Sequence, residues 1–411
     1  MKRGQLESHL LVLVTFALVA FGLVMVYSAT SAAAAVDNGD PAYYVKRQGM
    51  FALLGIVAMI VAARFDHTRL RSAAPTLVAL SVLLLLAVLV AGQRVNGARR
   101  WFAVGPLSIQ PSELMKVSLA VWLAAHLARR PAPRTLRELR KPIGLLAAVC
   151  CGLLLAEPDL GTAIAIGLLL GGVLLVAGAP VGLMARAGTI AIGVGLLAIY
   201  IEPYRRARIF SFLNPWHDSQ GAGFQSIQAM IGLGSGGPFG RGLGQSVEKI
   251  FYLPEAHTDM IFAIIGEELG LVGSFAVIAA YMVFAYAGLR IALGCRDLFG
   301  KRLAAGLTVL VCGQAALNLA AVVGIAPLTG IPLPLVSYGG SSIVVVLGSV
   351  GILLNIARSE GAEERAQVSD RRRGDRRPRP ALAGGGGGAE RAGRPRDVRR
   401  VAGSHRSAAR P

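Results

Sequence analysis

The stretch that decides the fold is YLPEAHTDMIFAIIGEELGLVGSFAVIAAYMVFAYAGLR, residues 252–290. From Asp259 onward, about 28 residues are long enough and apolar enough to cross a bilayer as a helix. Glu255, His257 and Asp259 place three ionisable side chains directly before them. Ionisable groups at a membrane boundary are costly to desolvate and by default mark a functional site. The stretch therefore predicts a membrane-spanning helix with a functional site at its mouth.

Composition extends the membrane interpretation to most of the chain. Of 411 residues, 54% are hydrophobic and 16% are charged, whereas a soluble domain has about 25% charged residues. Long apolar blocks recur, and alternating ten-residue segments typical of a membrane barrel do not. We predict an all-α polytopic membrane protein with about ten spans, at 9–28, 48–63, 74–92, 111–127, 142–156, 161–178, 181–200, 259–288, 303–325 and 340–357.

The distribution of positive charge predicts the orientation. With the amino terminus inside, 31 of the 42 lysines and arginines fall on the inner side. The positive-inside rule then places both termini in the cytoplasm. The other 11 lie on the outer side or at its rim, in four groups at 46–47, 94–116, 205–208 and 241–249, and the last two groups belong to a large extracytoplasmic loop at about 201–258. That clustering indicates an anionic partner outside.

The chain divides into a membrane domain, residues 1–358, and a tail, residues 359–411. The tail is rich in Arg, Gly and Pro, with five consecutive glycines at 384–388. Its low apolar content predicts a disordered segment. Adhesion to the anionic inner leaflet is the simpler role for its basic charge, and we expect no nucleic-acid partner.

Four outward segments carry unusual chemistry, and the first two contain carboxylates. Arg100 precedes a helix start at Gln110-Pro-Ser-Glu113, where Glu113 either attracts a ligand or caps the helix and pairs with Lys116. The second segment is Glu157-Pro-Asp-Leu-Gly-Thr162. A helix start explains Asp159, but Glu157 lies at the end of an apolar run and predicts a functional carboxyl group.

The large loop carries clustered cations and a run of glycines. Arg205, Arg206 and Arg208 open it and Lys249 lies near its end. Between them, the glycine-dense residues 232–244 permit tight turns and close backbone approach, and their amides are candidates to cradle phosphate oxygens. The run does not end in the Gly-Lys-Ser/Thr of a nucleotide-binding loop.

The fourth outward segment, residues 330–342, leads into the last span. Pro332 and Pro334 prevent a helix there. Ser337, Ser341 and Ser342 then offer hydroxyl groups at a helix amino terminus, which favours anion binding or a simple helix cap.

Asp259 is the predicted catalytic base, because burial raises the pKa of a carboxyl group while nearby cations lower it. Glu255 and His257 are expected to shape the loop or tune that base. Glu267 and Glu268, farther along the helix, are interpreted as structural or pathway groups. Gly266 and Gly270 form a small-residue pair that predicts close packing.

Together the four outward segments resemble the SEDS family of shape, elongation, division and sporulation proteins. The matching motifs occur in family order over residues 9 to 357. They are Asn96-Gly-Ala-x-Arg-Trp101, Gln110-Pro-Ser-Glu113, Glu157-Pro-Asp-Leu-Gly-Thr162, Phe212-Leu-Asn-Pro215, Tyr252-Leu-Pro-Glu-Ala-His-Thr-Asp259 and Ser337-Tyr-Gly-Gly-Ser-Ser342.

The resemblance implies a peptidoglycan glycosyltransferase that polymerises lipid II, the undecaprenyl-pyrophosphate-linked disaccharide peptide. It implies a class B penicillin-binding transpeptidase and other divisome or elongasome membrane proteins as partners. Asp259 matches the family's essential acid. The cations, alone or with a divalent ion such as Mg²⁺, would stabilise the departing pyrophosphate, and no organic cofactor is implied. The motif around Ala256 resembles the division branch more than the elongation branch.

Two other functions fit the same residues. A transporter of the same lipid would suit the intramembrane acids and the proline-broken segments, but the sequence has no convincing internal repeat. A scaffold that only recruits the transpeptidase is the third hypothesis.

Overall fold

The computed structural model describes residues 3–95, 98–105, 107–250 and 252–374, and most of this part of the chain is helical. Besides its α-helices it holds a π-helical turn (Arg140–Gly144) and a 3-10 helix (Pro215–Asp218). The elements in chain order are α1 (Arg3–Asn38), α2 (Tyr43–Arg64), α3 (Thr68–Ala91), β1 (Gln93–Val95), β2 (Ala98–Val104), β3 (Leu107–Ile109), α4 (Pro111–Arg129), α5 (Leu136–Leu139), α6 (Leu145–Ala156), α7 (Leu160–Val176), α8 (Val181–Ile201), α9 (Pro203–Leu213), α10 (Phe224–Ser235), α11 (Ile261–Gly294), α12 (Leu298–Val322) and α13 (Ser341–Gly374).

Within the described residues, eight helical segments are long and apolar enough to cross a membrane: those of α1, α2, α3, α5 to α6, α8, α11, α12 and α13. The all-α membrane fold is thereby confirmed. The two other predicted spans correspond to α7, which is apolar but has only 17 residues, and α4, which carries Glu113 and Lys116. The count of ten stays a prediction.

The core forms where small residues let helices approach closely. α12 packs against α4, α7 and α11, and α11 also packs along α1. A Cβ atom added to Gly172 of α7 would lie 2.7 Å from a methyl carbon of Val309, and one added to Gly288 would lie 2.3 Å from the hydroxyl oxygen of Thr308. These contacts have no room for a side chain, so the glycines fix the spacing of α7, α11 and α12.

Helix α11 is interrupted at Gly270, whose φ is +67°. The glycine-rich loop docks at this interruption: a Cβ atom on Gly270 would lie 2.4 Å from the amide nitrogen of Gly240, and one on Gly236 would lie 1.9 Å from Gly266 O. The pair Gly266 and Gly270 does permit close packing, and the element it admits is the loop. The amide of Gly242 donates to Glu268 O at 2.9 Å, so this amide is engaged by the helix backbone rather than turned to a phosphate.

The outward segments contain more regular structure than the sequence predicted. The large loop contains α9, the 3-10 helix and α10. The segment before α4 forms a three-stranded antiparallel sheet in the order β1-β2-β3, with Arg94 opposite Arg99 and Ala103 opposite Ser108. The Asn-Gly pair at 96–97 is typical of a turn, but both residues lie outside the described part of the chain.

The chain separates into two units, residues 1–365 and 366–411. The last helix continues to Gly374, so it does not end where the predicted tail begins at residue 359. The disorder predicted for residues 375–411 falls outside the described part of the chain.

Candidate functional site

Asp259 lies in the turn directly before α11, and its side chain is 9% exposed. Asn318 of α12 fixes the backbone at this point, since its amide nitrogen donates to Asp259 O at 2.7 Å and to Ile331 O at 2.8 Å. The Thr258 hydroxyl lies 3.2 Å from Asp259 Oδ1 and 3.0 Å from Glu255 Oε2. The carboxyl group is therefore held in a fixed position beside the segment that precedes α13.

Burial and, to a lesser extent, the negative charge of Glu255 raise the pKa of Asp259 to about 6, against the opposing effects of Arg208 and the Thr258 hydroxyl. Arg208 and Asp259 both lie next to Gly330: a Cβ atom added to this glycine would lie 3.9 Å from both Arg208 Nη1 and Asp259 Oδ2. The Arg208 guanidinium also donates to Leu328 O at 3.1 Å. A carboxylate with a pKa near but below neutrality is ionised at pH 7 and still basic enough to accept a proton.

His257 packs between two tyrosines. Its ring centroid lies 4.8 Å from that of Tyr44 and 5.5 Å from that of Tyr338, and its carbonyl accepts a hydrogen bond from Tyr338 N at 2.9 Å. Burial lowers the pKa of His257, with Glu255 opposing the shift, so the imidazole is neutral at pH 7. These contacts make His257 an anchor between α2 and the segment before α13.

A second cluster forms where α4 meets the start of α13. Lys116 pairs with Glu113 at 2.7 Å, and both side chains are buried. Ser342 Oγ lies 3.2 Å from Glu113 Oε2, and Ser341 Oγ accepts the Gln110 amide at 3.0 Å. The predicted pairing of Glu113 with Lys116 is confirmed, and both serine hydroxyls have protein partners.

The Ser337 side chain stabilises the turn in the non-helical segment that contains Pro332 and Pro334. Its hydroxyl accepts the Leu333 amide at 2.8 Å, and its own carbonyl accepts the Gln48 side chain at 3.0 Å. As predicted, residues 330–340 form no helix.

Glu157 stands at the end of α6 beside Arg100. The Arg100 guanidinium donates to Glu157 O at 2.8 Å and to Pro158 O at 2.5 Å. The Glu157 side chain is fully buried, and neither carboxyl oxygen has a hydrogen-bond partner among the described residues. Burial raises its pKa to about 8, helped by Asp159 and opposed by Arg100, so the group is protonated at neutral pH. Asp159 caps α7 through the Thr162 amide at 3.0 Å, as a helix start requires.

One segment, residues 328–342, joins these clusters. Gly161, just after Asp159, abuts it, because a Cβ atom there would lie 2.7 Å from Thr329 O. The same segment touches Arg208 at Leu328, Asn318 at Ile331 and His257 at Tyr338. The predicted residues around Asp259, Glu113 and Glu157 therefore share one face of the molecule.

Two predicted cations, Arg205 and Arg206, make contacts away from Asp259. Arg205 donates to the carbonyls of Ala198, at the end of α8, and Leu155, at the end of α6, at 3.2 and 2.5 Å. The Arg206 guanidinium lies 5.7 Å from the ring centroid of Tyr200. Their predicted role in substrate binding stays a prediction.

Lys249 belongs to a separate, saturated network on α11. Its ammonium group pairs with Glu268 at 2.9 Å, and Ser28 Oγ lies 2.7 Å from both oxygens of that carboxylate. Glu267 pairs with Arg241 at 3.2 Å and accepts the Val247 amide at 2.9 Å. These two acids fasten the loop to α1 and α11, as expected of structural groups.

The described residues offer a partial metal site. No three His, Cys, Asp or Glu side chains converge among them. Glu255 and Asp259, linked through Thr258, supply two carboxylates. Mg²⁺ is commonly held by one or two carboxylates together with substrate phosphates, so this pair fits such an ion only when a phosphorylated substrate completes the site.

Sequence reasoning missed Asn318 and Tyr44. Asn318 is buried in an apolar helix and bonds the backbone on both sides of the site. A lone amide inside a predicted span is itself a signal, because polar groups in a membrane need a partner. Tyr44 gives no such signal, since aromatic residues are common at membrane interfaces.

Comparisons with known proteins point in one direction. Residues 8–362 match the family model for FtsW, RodA and SpoVE, described as "Cell cycle protein". The chain is 40% identical over 350 residues to "Probable peptidoglycan glycosyltransferase FtsW" of Trichlorobacter lovleyi, covering 84% of this chain and 92% of that protein. It is 40% identical to "Stage V sporulation protein E" of Bacillus subtilis, covering 85% and 96%. A solved structure described as "Structural coordination of polymerization and crosslinking by a peptidoglycan synthase complex" matches with a TM-score of 0.69 and 33% identity, covering 85% of this chain and 97% of its own.

Proposed function

The chain belongs to the FtsW/RodA/SpoVE family of cell cycle proteins, and from this premise we propose that it is a peptidoglycan glycosyltransferase that polymerises lipid II. The similarity to proteins named FtsW and to a peptidoglycan synthase complex supports the activity. The FtsW relatives also favour a role in cell division. The observation that carries the assignment is a buried Asp259 whose pKa is about 6, beside Arg208 at the mouth of α11.

Asp259 acts as the general base. It takes the proton from the 4-hydroxyl group of the GlcNAc of one lipid-linked unit. The hydroxyl oxygen forms a bond to the anomeric carbon of the MurNAc of another unit, with inversion. The bond from that carbon to undecaprenyl pyrophosphate breaks, and its electrons leave with the pyrophosphate. General-base assistance is worth about 10²–10⁴-fold.

Arg208 is the best-supported cation for the leaving group. It donates to Leu328 O beside Asp259, whereas Arg100 and Arg205 are bonded to carbonyls at the end of α6 and Lys249 is paired with Glu268. A guanidinium fixed beside the base meets the negative charge that develops on the pyrophosphate without moving. Glu255 and Asp259 would hold a divalent cation if the substrate's phosphates complete its ligands, and such an ion would add positive charge there.

The active face lies on the outer side of the bacterial cytoplasmic membrane, with both termini in the cytoplasm. The charge distribution supports this orientation. A penicillin-binding transpeptidase is the proposed partner, because the similar solved structure is a synthase complex that couples polymerisation to crosslinking. Other division proteins complete the assembly.

The decisive experiment supplies lipid II to the purified protein together with its transpeptidase. We expect wild type to form glycan strands, detected on gels, and Asp259→Asn and Asp259→Ala to form none. Asp218→Asn is the matched control, because it makes the same change at an exposed aspartate of the large loop, one that accepts the Ala222 amide at 2.9 Å. Normal polymerisation by both Asp259 variants would refute the catalytic assignment.

The same preparation tests the transporter alternative. Vesicles loaded with fluorescent lipid II report its movement between leaflets. If wild type moves the lipid and never polymerises it, the protein is a transporter rather than a polymerase.

A further inference from the structure

A cavity lined by three arginines opens at the end of α4, on the opposite side of the bundle from Asp259. It has a volume of about 170 Å³ and lies between the start of α3 and the end of α4. Its polar wall is formed by Arg71, Arg129 and Arg130, and its remaining wall by Ala74, Pro75, Trp122, Ala125 and His126. The helical path from Glu113 to His126 is about 20 Å long at 1.5 Å per residue, so this cavity is separate from the catalytic face.

Within the described residues, no carboxylate pairs with the three arginines of this cavity. The buried Nε of Arg71 has no hydrogen-bond partner in that part of the chain either. Asp66, the nearest acid in sequence, instead accepts from Thr68 at 2.9 Å. An unneutralised cluster of guanidinium groups around a cavity favours an anion with several oxygen atoms.

Interactions with helix ends do not account for all three arginines. Cations near the end of α4 do interact favourably with the helix dipole, which explains Arg129. However, Arg302 of α12 already donates to Leu127 O at that end. Arg71 lies in the first turn of α3, where the dipole disfavours a cation. A ligand that brings negative charge explains why Arg71 faces the same cavity as the other two.

The aromatic pair Trp122 and His126 indicates how deep in the membrane the cavity lies. The rings of Trp122 and His126 stack at 5.1 Å with an interplanar angle of 12°. Tryptophan concentrates at the level of the lipid headgroups. On the predicted topology this end of the bundle faces the cytoplasm, where anionic lipids attract basic segments.

We propose that Arg71, Arg129 and Arg130 form a binding site for a phosphate group, supplied by a phospholipid headgroup of the inner leaflet. The guanidinium groups bind the phosphate oxygens, and the Trp122–His126 stack and Pro75 contact the apolar part of the headgroup. Inorganic phosphate shares this chemistry and is the alternative source.

The test measures ligand binding to the full-length protein in detergent. Native mass spectrometry would follow binding of dioctanoyl phosphatidylglycerol, inorganic phosphate and dioctanoylglycerol, which lacks the phosphate. We expect phosphatidylglycerol to bind and dioctanoylglycerol not to bind. Arg71→Gln/Arg129→Gln/Arg130→Gln should weaken phosphatidylglycerol binding by about tenfold or more.

The matched control removes the same charge elsewhere on this face. Arg69, Arg134 and Arg137 are exposed and do not line the cavity, so their triple Gln variant should bind like wild type. Replacing the three cavity arginines by Lys should restore part of the affinity, and thermal melting verifies that each variant is folded. Binding of inorganic phosphate alone would support the phosphate site but replace the lipid by a soluble source. Equal losses in both Gln variants, or no binding of either phosphate probe, would overturn the proposal.

Discussion

Two acidic regions, one directly before α11 and one within it, have opposite surroundings. At the mouth, Asp259 is buried beside one guanidinium group and has a raised pKa. Along the helix, Glu267 and Glu268 are more deeply buried, yet hydroxyl groups, backbone amides and two cations surround their carboxylates. Burial alone therefore does not distinguish a chemical acid from a structural one. The supply of hydrogen-bond donors does.

Glu157 extends the comparison to a third acid. Its side chain is fully buried, and neither carboxyl oxygen has a hydrogen-bond partner among the described residues. Because a buried, unpaired negative charge is costly, the group is protonated instead. The three environments predict three different responses to mutation.

The largest effect is expected from Asp259→Asn. Removing the base should reduce the polymerisation rate by about 10²–10⁴-fold, while the melting temperature stays close to that of wild type because few donors depend on this carboxylate. Rate and melting temperature measured on one preparation check both statements. A folded Asp259→Asn protein with near-normal activity would place the base elsewhere.

Glu268→Ala should act on stability instead. It leaves the buried Lys249 without its partner, and breaking a buried pair costs about 3–5 kcal/mol. Denaturant unfolding in detergent measures the loss. The double variant Lys249→Met/Glu268→Leu removes both charges and should recover most of the stability. If Glu268→Ala unfolds like wild type, the two regions do not differ in the way described above.

Two substitutions near Asp259 should move the acidic limb of the pH–rate profile in opposite directions. The base works only when ionised, so activity falls as pH drops through its pKa of about 6. Glu255→Gln removes a charge that raises this pKa and should shift the limb to lower pH by up to about one unit, since Glu255 is exposed and screened.

Arg208→Gln removes a charge that lowers the same pKa and should shift the limb to higher pH, besides slowing the reaction. Arg206→Gln should leave the profile in place, because Arg206 contacts Tyr200. Shifts of equal sign for the Glu255 and Arg208 variants would contradict the electrostatic assignment of Asp259.

The smallest effect is expected from Glu157→Gln and depends on pH. The folded pKa of about 8 exceeds the ordinary value of 4.5, so between these values the folded state binds more protons than the unfolded chain. The free energy of unfolding of wild type therefore falls as pH rises across this window. Glu157→Gln should match wild type near pH 5 and melt at a higher temperature at pH 8.

Glu267→Gln provides the contrasting control for that experiment. It weakens hydrogen bonds to a saturated carboxylate and should lower the melting temperature at both pH values. A Glu157→Gln protein that is destabilised in the same way would mean that Glu157 is ionised and paired.

The sequence predicted the parts of this protein that depend on local patterns. Apolar blocks indicated the helices, and three ionisable groups before one of them indicated the mouth of α11. Pro332 and Pro334 correctly predicted a segment without helix. Such features depend on neighbours along the chain, which the sequence displays directly.

The partners of charged residues could not be predicted in the same way. Lys249 and Arg205 looked alike as outward cations, but one pairs with Glu268 and the other bonds the ends of α6 and α8. Ser28, which completes the site around Glu268, is 240 residues away from it. The strands β1 and β3 have only three residues each, too few for an alternating pattern to be recognised.

The interruption at Gly270 divides α11 into two mechanical parts. Because Gly236 and Gly240 abut the backbone at Gly266–Gly270, the outer part of the helix, which begins just after Asp259, is fastened to the large loop. A movement of the large loop is therefore expected to act first on this part of the helix, residues 261–270, and only then on the rest of α11. We expect such a movement to pivot at Gly270, and Asp259, the proposed base, lies directly before the shorter of the two parts.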